Sequence, residues 1–291
     1  MMKTFMLTRA DCHRLLSFQE LLPYIRSTLK AQAAPVSAIP KSQELRQARC
    51  ELGRINGIPA YTVNALPASS SESNMIHLYH AVDDQLLALM PAHHISKLST
   101  LALAAYGSSL LAQEQHATIG IIGWNDDMRL FCDMVHYLRP MDSKNLLIYT
   151  QQHVQLSSVP PHQSCETVDN VDTILAESDT IFVAPGAAVL LTHAIFWRSS
   201  LQITLLGEKL PSPQRAFRQP VQYWHEQKQD ARPTAHQLHE LLSNEFDSHT
   251  DPRTIHVLEA DRLSSLELAA AWQIYKKGLY YGYGQWMDFI T

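Results

Sequence analysis

The fold of this chain is predicted most clearly by one stretch, Thr118 to Leu138, which has the sequence TIGIIGWNDDMRLFCDMVHYL. Its first part, Thr118–Ile122, is a short apolar run of the kind that forms a fully buried strand. Gly123–Asp127 supplies turn residues, and Met128–Leu138 has the apolar spacing of an amphipathic helix. The stretch therefore predicts a buried strand that passes through a glycine turn directly into a helix.

The residues downstream continue this alternation of strands and helices. We predict strands at Asn145–Tyr149, Thr180–Ala184, Gln202–Leu206 and Thr254–Leu258, and helices at Val168–Ala176, Ala235–Phe246 and Ser264–Tyr280. Strands that alternate with helices form a parallel sheet, because each helix returns the chain to the same edge. The predicted fold class is therefore α/β, with a Rossmann-type, doubly wound parallel sheet over residues 113–265.

The first part of the chain has a different pattern. A strand-like Thr4–Thr8 precedes apolar residues at helical spacing, and an Ala-rich helix is predicted at Lys97–Leu111. Between them lie alternating, strand-like segments at Ile58–Val63, Met75–Tyr79 and Leu86–Met90. We therefore predict an α+β domain made of residues 1–112 and the C-terminal helix, residues 266–291.

The composition excludes several classes of function. The net charge of −5 gives no basic footprint for nucleic acid. No apolar run reaches the ~20 residues of a membrane helix, and the N-terminus lacks the apolar run of a signal peptide, so we expect a cytoplasmic protein. The 4 cysteines lie far apart. His236 and His239 have a spacing compatible with a metal, but no carboxylate motif accompanies them, and no metal site is predicted.

Five short motifs follow one another in a distinctive order. They are Gly57–Tyr61 (G-I-P-A-Y), Leu86–Met90 (L-L-A-L-M), Ser96–Thr100 (S-K-L-S-T), Ile119–Gly123 (I-G-I-I-G) and Leu266–Ala271 (L-E-L-A-A-A). In this order they resemble the ornithine cyclodeaminase/mu-crystallin family, from about Met6 to Trp286. The resemblance implies NAD(P)-dependent chemistry on amino or imino acids. It also implies that the α+β domain binds substrate and forms a homodimer through its β-rich half.

The resemblance places the cofactor-binding turn at Gly123, Asn125, Asp126 and Asp127. The family has G-x-G-x-x-A here, in which the second glycine admits the pyrophosphate and the last small residue lets helix and strand pack closely. This chain keeps Gly123 but has Asn125 and Met128 at the other two positions. Asp126 and Asp127 suit a helix N-terminus but would repel a diphosphate. The turn is therefore degenerate.

The end of the second Rossmann strand also lacks a residue with which the family binds the cofactor. An acid there normally holds the ribose hydroxyls of NAD, whereas Ile148–Gln151 contains no acid. Lys144 and the pair Gln151–Gln152 could meet a 2′-phosphate only weakly. The expected cofactor is therefore none, or weakly bound NAD(P).

The substrate pocket implied by the resemblance has lost charged groups. Ser99 stands where the family has an arginine that pairs with the substrate carboxylate, and Asn64 stands near the position of a proton-transferring lysine. An upstream arginine corresponds to Arg46 or Arg49. Glu208 stands where the cyclodeaminase branch has a catalytic aspartate, and its alternative role is that of a surface glutamate.

Two main hypotheses follow. In the first, the chain has lost the ancestral reaction and serves as a binding or partner subunit, with a small amino-acid-like ligand or a protein partner. In the second, it is an active ketimine or imino-acid reductase or cyclodeaminase with a remodelled pocket, in which His77 and Glu208 are catalytic. Further candidates for that pocket are His80, His93, His94 and Lys97. A third hypothesis, a binding protein for an aromatic or thyroid-hormone-like ligand, rests on family analogy.

Overall fold

A computed structural model describes residues 3–33, 50–53, 58–65, 74–113, 117–141, 144–150, 164–193, 197–210, 220–225, 235–242 and 253–288. The chain divides into two compact units. One consists of Met1–Ser99 and Arg262–Thr291, and the other of Thr100–Asp261. Within the described ranges, no helix combines the length and the apolar character that crossing a membrane requires.

The first unit is built on a six-stranded sheet with the order β14-β1-β5-β4-β3-β2. Its strands are β1 (Lys3–Met6), β2 (Cys50–Gly53), β3 (Ala60–Ala65), β4 (Met75–His80), β5 (Leu86–Pro91) and β14 (Gln285–Asp288). Neighbouring strands pair antiparallel, except that β1 and β5 are parallel. Its helices are α1 (Arg9–Leu15), α2 (Phe18–Ala33) and α6 (Ser264–Tyr281), and α3 (Ala92–Leu111) begins in this unit.

The two faces of this sheet differ in burial. In β4, Ile76 and Leu78 are fully buried, whereas His77 and Tyr79 between them are half-buried. Successive side chains of a strand point to opposite faces, so one face of the sheet belongs to the core and the other is partly open. The helix α6 packs against β2, β3 and β4.

The second unit is an eight-stranded, entirely parallel sheet with the order β12-β11-β13-β10-β9-β6-β7-β8. Its strands are β6 (Thr118–Ile122), β7 (Asn145–Tyr149), β8 (Ser164–Thr167), β9 (Thr180–Val183), β10 (Gln202–Leu206), β11 (Val221–His225), β12 (Ala235–Gln237) and β13 (Ile255–Ala260). The α-helices α4 (Asp126–Leu138) and α5 (Val171–Glu177) and two 3-10 helices, Ala188–His193 and Leu238–Leu242, connect them.

This sheet is buried along its central strands. Every residue of β9, β10 and β13 is buried, as expected for parallel strands that are covered on both faces. At Gly120 in β6, an added Cβ would lie 2.5 Å from Cγ2 of Ile174 and 2.4 Å from Oγ of Ser178. The absence of a side chain at this position therefore lets the α5 segment pack closely on the sheet.

The structure confirms the predicted α/β class and the doubly wound parallel sheet. Strands β6, β7 and β10 have the predicted bounds, and α4 begins two residues early because Asn125 caps it. The helix predicted at Ala235–Phe246 was wrong at its start, since Ala235–Gln237 pairs with β11 as a strand. Leu238–Leu242 forms a 3-10 helix, and residues 243–246 lie outside the described residues. The pattern also missed β8, β11 and β14, which mix polar and apolar residues without clear alternation.

Candidate functional site at the carboxyl edge of the parallel sheet

The second unit has a topological switch point between β6 and β9. From β6 the chain moves outward through β7 and β8, and then returns to β9 on the other side of β6. Ligands of open α/β sheets bind beyond the carboxyl ends of the strands at such a point, because the two outgoing loops diverge there. The turn after β6 and the loop after β9 therefore define the candidate site.

Gly123 brings these two segments together. Its φ is +83°, a left-handed conformation that favours glycine, and its N–H donates to the carbonyl of Tyr149 at 2.8 Å. A Cβ at Gly123 would lie 2.9 Å from Cβ of Ala184, in the loop after β9. A side chain at this position would therefore push the two loops apart, so the first motif glycine retains a structural role.

The turn after Gly123 is held by a hydrogen bond between its own residues. Asn125 is the N-cap of α4, and its Oδ1 accepts a hydrogen bond from the N–H of Met128 at 2.9 Å. Asp126 is exposed and Asp127 half-exposed in the first helical turn, where carboxylates interact favourably with the helix dipole. Met128, at the position of the family's last small residue, is fully buried. The start of α4 is thus capped and stabilised by the chain itself.

Glu208 holds the loop after β9. It follows Gly207 at the end of β10, and its two carboxylate oxygens accept hydrogen bonds from the backbone N–H groups of Gly186 and Ala188, the latter at 3.3 Å. Ala188 begins a 3-10 helix, so the carboxylate pairs with backbone donors at the start of that helix. The residue predicted to be catalytic therefore links the ends of β9 and β10.

A second carboxylate at this edge escaped the sequence reasoning. Glu259, the penultimate residue of β13, is buried, and its Oε1 accepts a hydrogen bond from the N–H of Leu210 at 2.9 Å. Its Oε2 lies 3.4 Å from Nδ1 of His225, the last residue of β11. A glutamate directly after the apolar run Thr254–Leu258 was the available signal, but nothing in the sequence paired it with His225.

The predicted substrate-pocket residues belong to the first unit. Ser99 in α3 is buried, and its hydroxyl has no hydrogen-bond partner among the described residues. Asn64 lies in β3, in register with Ile76 of β4. Arg46 and Arg49 lie outside the described residues. No cationic group is thus found at the two described positions where the family has an arginine and a lysine.

His77 lies on the partly open face of the first sheet. It is in register with Leu89 of β5 and Val63 of β3, and burial lowers the pKa of its imidazole. The ring of Tyr79 on the same face has its centroid 6.5 Å away. His77 is therefore a half-buried residue of a sheet face, and these neighbours are apolar and aromatic.

Several of the other predicted histidines cluster with residues that the sequence reasoning missed. His94, near the start of α3, is buried, and its ring lies 3.6 Å from that of His13 in α1, centroid to centroid. Burial, His13, Lys97 and Arg9, in that order, lower the pKa of His94 to about 4, and His93 adds to this effect. Burial also lowers the pKa of His13. A histidine in α1 could not be matched to α3 from the sequence, because the two helices are far apart along the chain.

The remaining predicted histidines lie elsewhere. His80 contacts Asp83 in the β4–β5 turn, with Nδ1 and Oδ1 2.7 Å apart. His236, in β12, lies 3.1 Å from Glu240, and His239 belongs to the 3-10 helix that follows. Among the residues that the structure describes, no group of three or more side chains could hold a metal ion.

Comparisons with known proteins agree with this architecture. No family model and no curated protein matches the sequence. Solved structures match in fold, and three of them illustrate the range of matches. The Δ1-pyrroline-2-carboxylate reductase of Thermococcus litoralis, in complex with NADH and L-proline, has a TM-score of 0.68 and 16% identity, and the match covers 97% of this chain and 99% of that one. An archaeal alanine dehydrogenase dimer with bound NAD has a TM-score of 0.67 and 13% identity over 99% and 100% of the two chains. A probable ornithine cyclodeaminase from Bordetella pertussis Tohama I has a TM-score of 0.68 and 12% identity over 96% and 99%.

The chain therefore has the fold of the ornithine cyclodeaminase proteins, and the resemblance inferred from its motifs is confirmed as to fold. Two of these structures contain NAD or NADH. At identities of only 16% and 12%, TM-scores of 0.68 show an architecture shared over nearly the full length.

Proposed function

We propose that this chain uses the ornithine cyclodeaminase fold as a binding or partner subunit and has lost the NAD(P)-dependent reaction on amino or imino acids. The observation that carries the proposal is the hydrogen bond from the N–H of Met128 to Oδ1 of Asn125. In a dinucleotide site, the backbone N–H groups at this helix N-terminus face the pyrophosphate. Here a side chain of the same turn accepts from one of them, and the turn lacks the glycine that would admit the ligand.

The charges of the turn support the same conclusion. Asp126 and Asp127 place two carboxylates in the first turn of α4. Two like charges 4 Å apart repel by about 1 kcal/mol in water and by about 4 kcal/mol at the effective dielectric constant of a protein surface. A bound diphosphate would meet this repulsion at the site where a dinucleotide-binding protein supplies attraction.

The groups that would act on the substrate support it as well. A serine at position 99 cannot form the bidentate charge pair with a carboxylate that an arginine forms. Both oxygens of Glu208 accept backbone hydrogen bonds, so a role as a general base would compete with its contacts to the loop after β9. These residues fit a scaffold better than a proton-transfer site.

We further propose that the chain forms a homodimer through the partly open face of the first sheet. Tyr61 and Tyr79 stack there with ring centroids 5.3 Å apart, and Leu89 and His77 lie beside each other in register. Half-exposed aromatic and aliphatic side chains on one sheet face are suited to an isologous contact. The alanine dehydrogenase of the same fold is a dimer.

The test of cofactor loss is a fluorescence titration of the full chain with NADH and NADPH. We expect no binding tighter than about 100 µM, that is, no more than roughly 5 to 6 kcal/mol of binding free energy. The variant Asn125→Gly/Asp126→Ser/Asp127→Ser, which removes the cap and both carboxylates, should bind NADH more tightly than the wild type.

A matched control is available at α5. Asn170 caps that helix through the N–H of Thr173 at 2.8 Å, and Asp172 lies in its first turn. Asn170→Gly/Asp172→Ser therefore alters a cap of the same kind outside the switch point and should leave NADH binding as weak as in the wild type. Tight NADH binding by the wild-type chain would overturn the proposal and favour the remodelled enzyme.

A further inference from the structure

A small cavity lies at the opposite, amino-terminal edge of the parallel sheet. Its volume is about 40 Å³, and it lies within the second unit. It is lined by the end of α3 (Ser108, Ser109, Ala112 and Gln113), the starts of β6 and β9 (Ile119, Thr180 and Phe182) and the segment from the end of α4 to β7 (Val135, Arg139, Pro140, Met141 and Lys144). We call it the amino-edge cavity.

The walls of the amino-edge cavity are mainly apolar. The hydroxyl of Ser109 donates to the carbonyl of Tyr106 at 2.7 Å, and the Ser108 hydroxyl and carbonyl accept from Nε2 of Gln202 at 2.9 and 3.0 Å. These polar groups of α3 are thus occupied by protein partners. Since a buried water needs 2–4 polar partners, the interior suits an apolar group better than water.

Arg139 brings a positive charge to this apolar lining. It is half-buried, and its guanidinium donates to the carbonyl of Ala112, at the end of α3, at 2.7 Å. Within the part of the chain that the structure describes, no carboxylate pairs with it. One hydrogen bond leaves further N–H donors of the guanidinium for a ligand. Lys144 adds a second cation to the lining.

We infer that the amino-edge cavity binds a short-chain aliphatic monocarboxylate, whose carboxylate pairs with Arg139 and whose alkyl group fills the apolar interior. A guanidinium recognises a carboxylate with charge-assisted hydrogen bonds, which an amide of the same shape cannot replace. About 40 Å³ accommodates roughly three water-sized groups, which matches the propyl chain of butyrate. The inference is independent of the proposed loss of the cofactor, because it concerns the other edge of the sheet.

The test uses the full chain, sodium butyrate and the neutral isostere butyramide. Binding is measured by calorimetry and by the ¹³C signal of the Met141 methyl group, which lines the cavity, with the exposed Met287 as a reference. We expect butyrate to shift the Met141 signal alone. Butyramide should bind at least about tenfold more weakly, as expected for the loss of a charge-assisted hydrogen bond.

Two variants test separately what the charge of Arg139 and the volume of the cavity contribute to binding. Arg139→Gln should weaken butyrate binding at least about tenfold, whereas Arg129→Gln, at an exposed position of α4, should leave it unchanged. Ala112→Leu keeps Arg139 and fills the cavity, so it should also abolish binding and covers the case in which Arg139→Gln does not fold.

Three results would overturn the inference. One is the absence of butyrate binding by the wild-type chain up to about 10 mM. A site with a binding free energy of roughly 3 kcal/mol would already be half filled at that concentration. Another is binding of butyramide as tight as that of butyrate. The last is an Arg139→Gln variant that is less stable but binds butyrate like the wild type, which would show that Arg139 serves only to close the end of α3.

Discussion

The side-chain oxygen of Asn125 accepts a hydrogen bond from the N–H of Met128 at 2.9 Å, and Asn170 does the same for Thr173 at 2.8 Å. The helix that would face a pyrophosphate in a dinucleotide-binding protein is thus capped like an ordinary helix of the same sheet. Because an N-cap stabilises its helix by satisfying a backbone donor, Asn125 contributes to folding whatever the turn binds.

We expect Asn125→Ala to lower the free energy of unfolding by about 1 kcal/mol, through loss of the cap. Asn170→Ala should have an effect of similar size, since the two caps have the same geometry. Urea denaturation followed by circular dichroism measures both. A stability of Asn125→Ala equal to that of the wild type would show that the cap does not form in solution.

Glu208→Ala should release the loop after β9. Because each carboxylate oxygen accepts a backbone hydrogen bond, we expect faster amide hydrogen exchange at Gly186 and Ala188, and a loss of about 1 kcal/mol of stability for this partly exposed carboxylate. Glu208→Gln, which keeps one acceptor oxygen, should show a smaller change. Lys209→Ala, at the exposed neighbouring position, serves as the control. Unchanged exchange at both amides in Glu208→Ala would contradict the structural role.

The adjacent rings of His13 and His94 should make the protein sensitive to acid. The charged and titratable groups that act on the pair are Arg9 in α1 and Lys97 and His93 in α3. The folded-state pKa of His94 is about 4, below the usual 6.5 of a histidine. The unfolded chain therefore takes up a proton near pH 6.5 that the folded chain refuses until about pH 4, so stability falls as the pH decreases through this window.

This difference corresponds to a loss of about 2 kcal/mol from His94 between pH 7 and pH 5. His94→Phe cannot titrate and should flatten the pH dependence of unfolding by urea. Titration of the histidine rings by NMR gives the pKa directly. A pKa of His94 near 6.5, or a pH dependence in His94→Phe like that of the wild type, would contradict the prediction.

Substitution on the partly open face of the first sheet should dissociate the proposed dimer. Leu89→Asp places like charges close together across a two-fold axis, so we expect a monomer at micromolar concentration in analytical ultracentrifugation. Val82→Asp lies in the β4–β5 turn, where Val82 is 84% exposed, and should leave the dimer intact. A wild-type chain that sediments as a monomer would refute the interface.

Features that depend on neighbours in sequence could be predicted. The run Thr118–Ile122 favours a strand because its threonine and isoleucines are β-branched, and Gly123 permits the turn because it tolerates a positive φ. The residues Ser99 and Asn125, at positions where the resembling family has an arginine and a glycine, are also visible in the sequence. These properties need no knowledge of which strands are adjacent.

Contacts between distant segments could not be predicted. Whether Ala235–Gln237 is a helix or a strand depends on β11, whose backbone groups complete its hydrogen bonds. The residues that flank Glu208 in the sequence are the same whether its carboxylate is catalytic, solvated or bonded to Gly186. The order of the strands brings it to that loop, and strand order is not encoded in the local pattern.

The strand–turn–helix at Thr118–Leu138, the α/β class and the presence of Ser99 and Asn125 in the resembling motifs follow from local periodicity and side-chain identity. In contrast, the folded structure was needed to show that Asn125 caps α4, that the ring of His13 lies against that of His94 and that Arg139 lines an apolar cavity. A hydrogen bond or a ring contact needs its partner within a few ångströms, and the packing of helices and strands decides which partner that is.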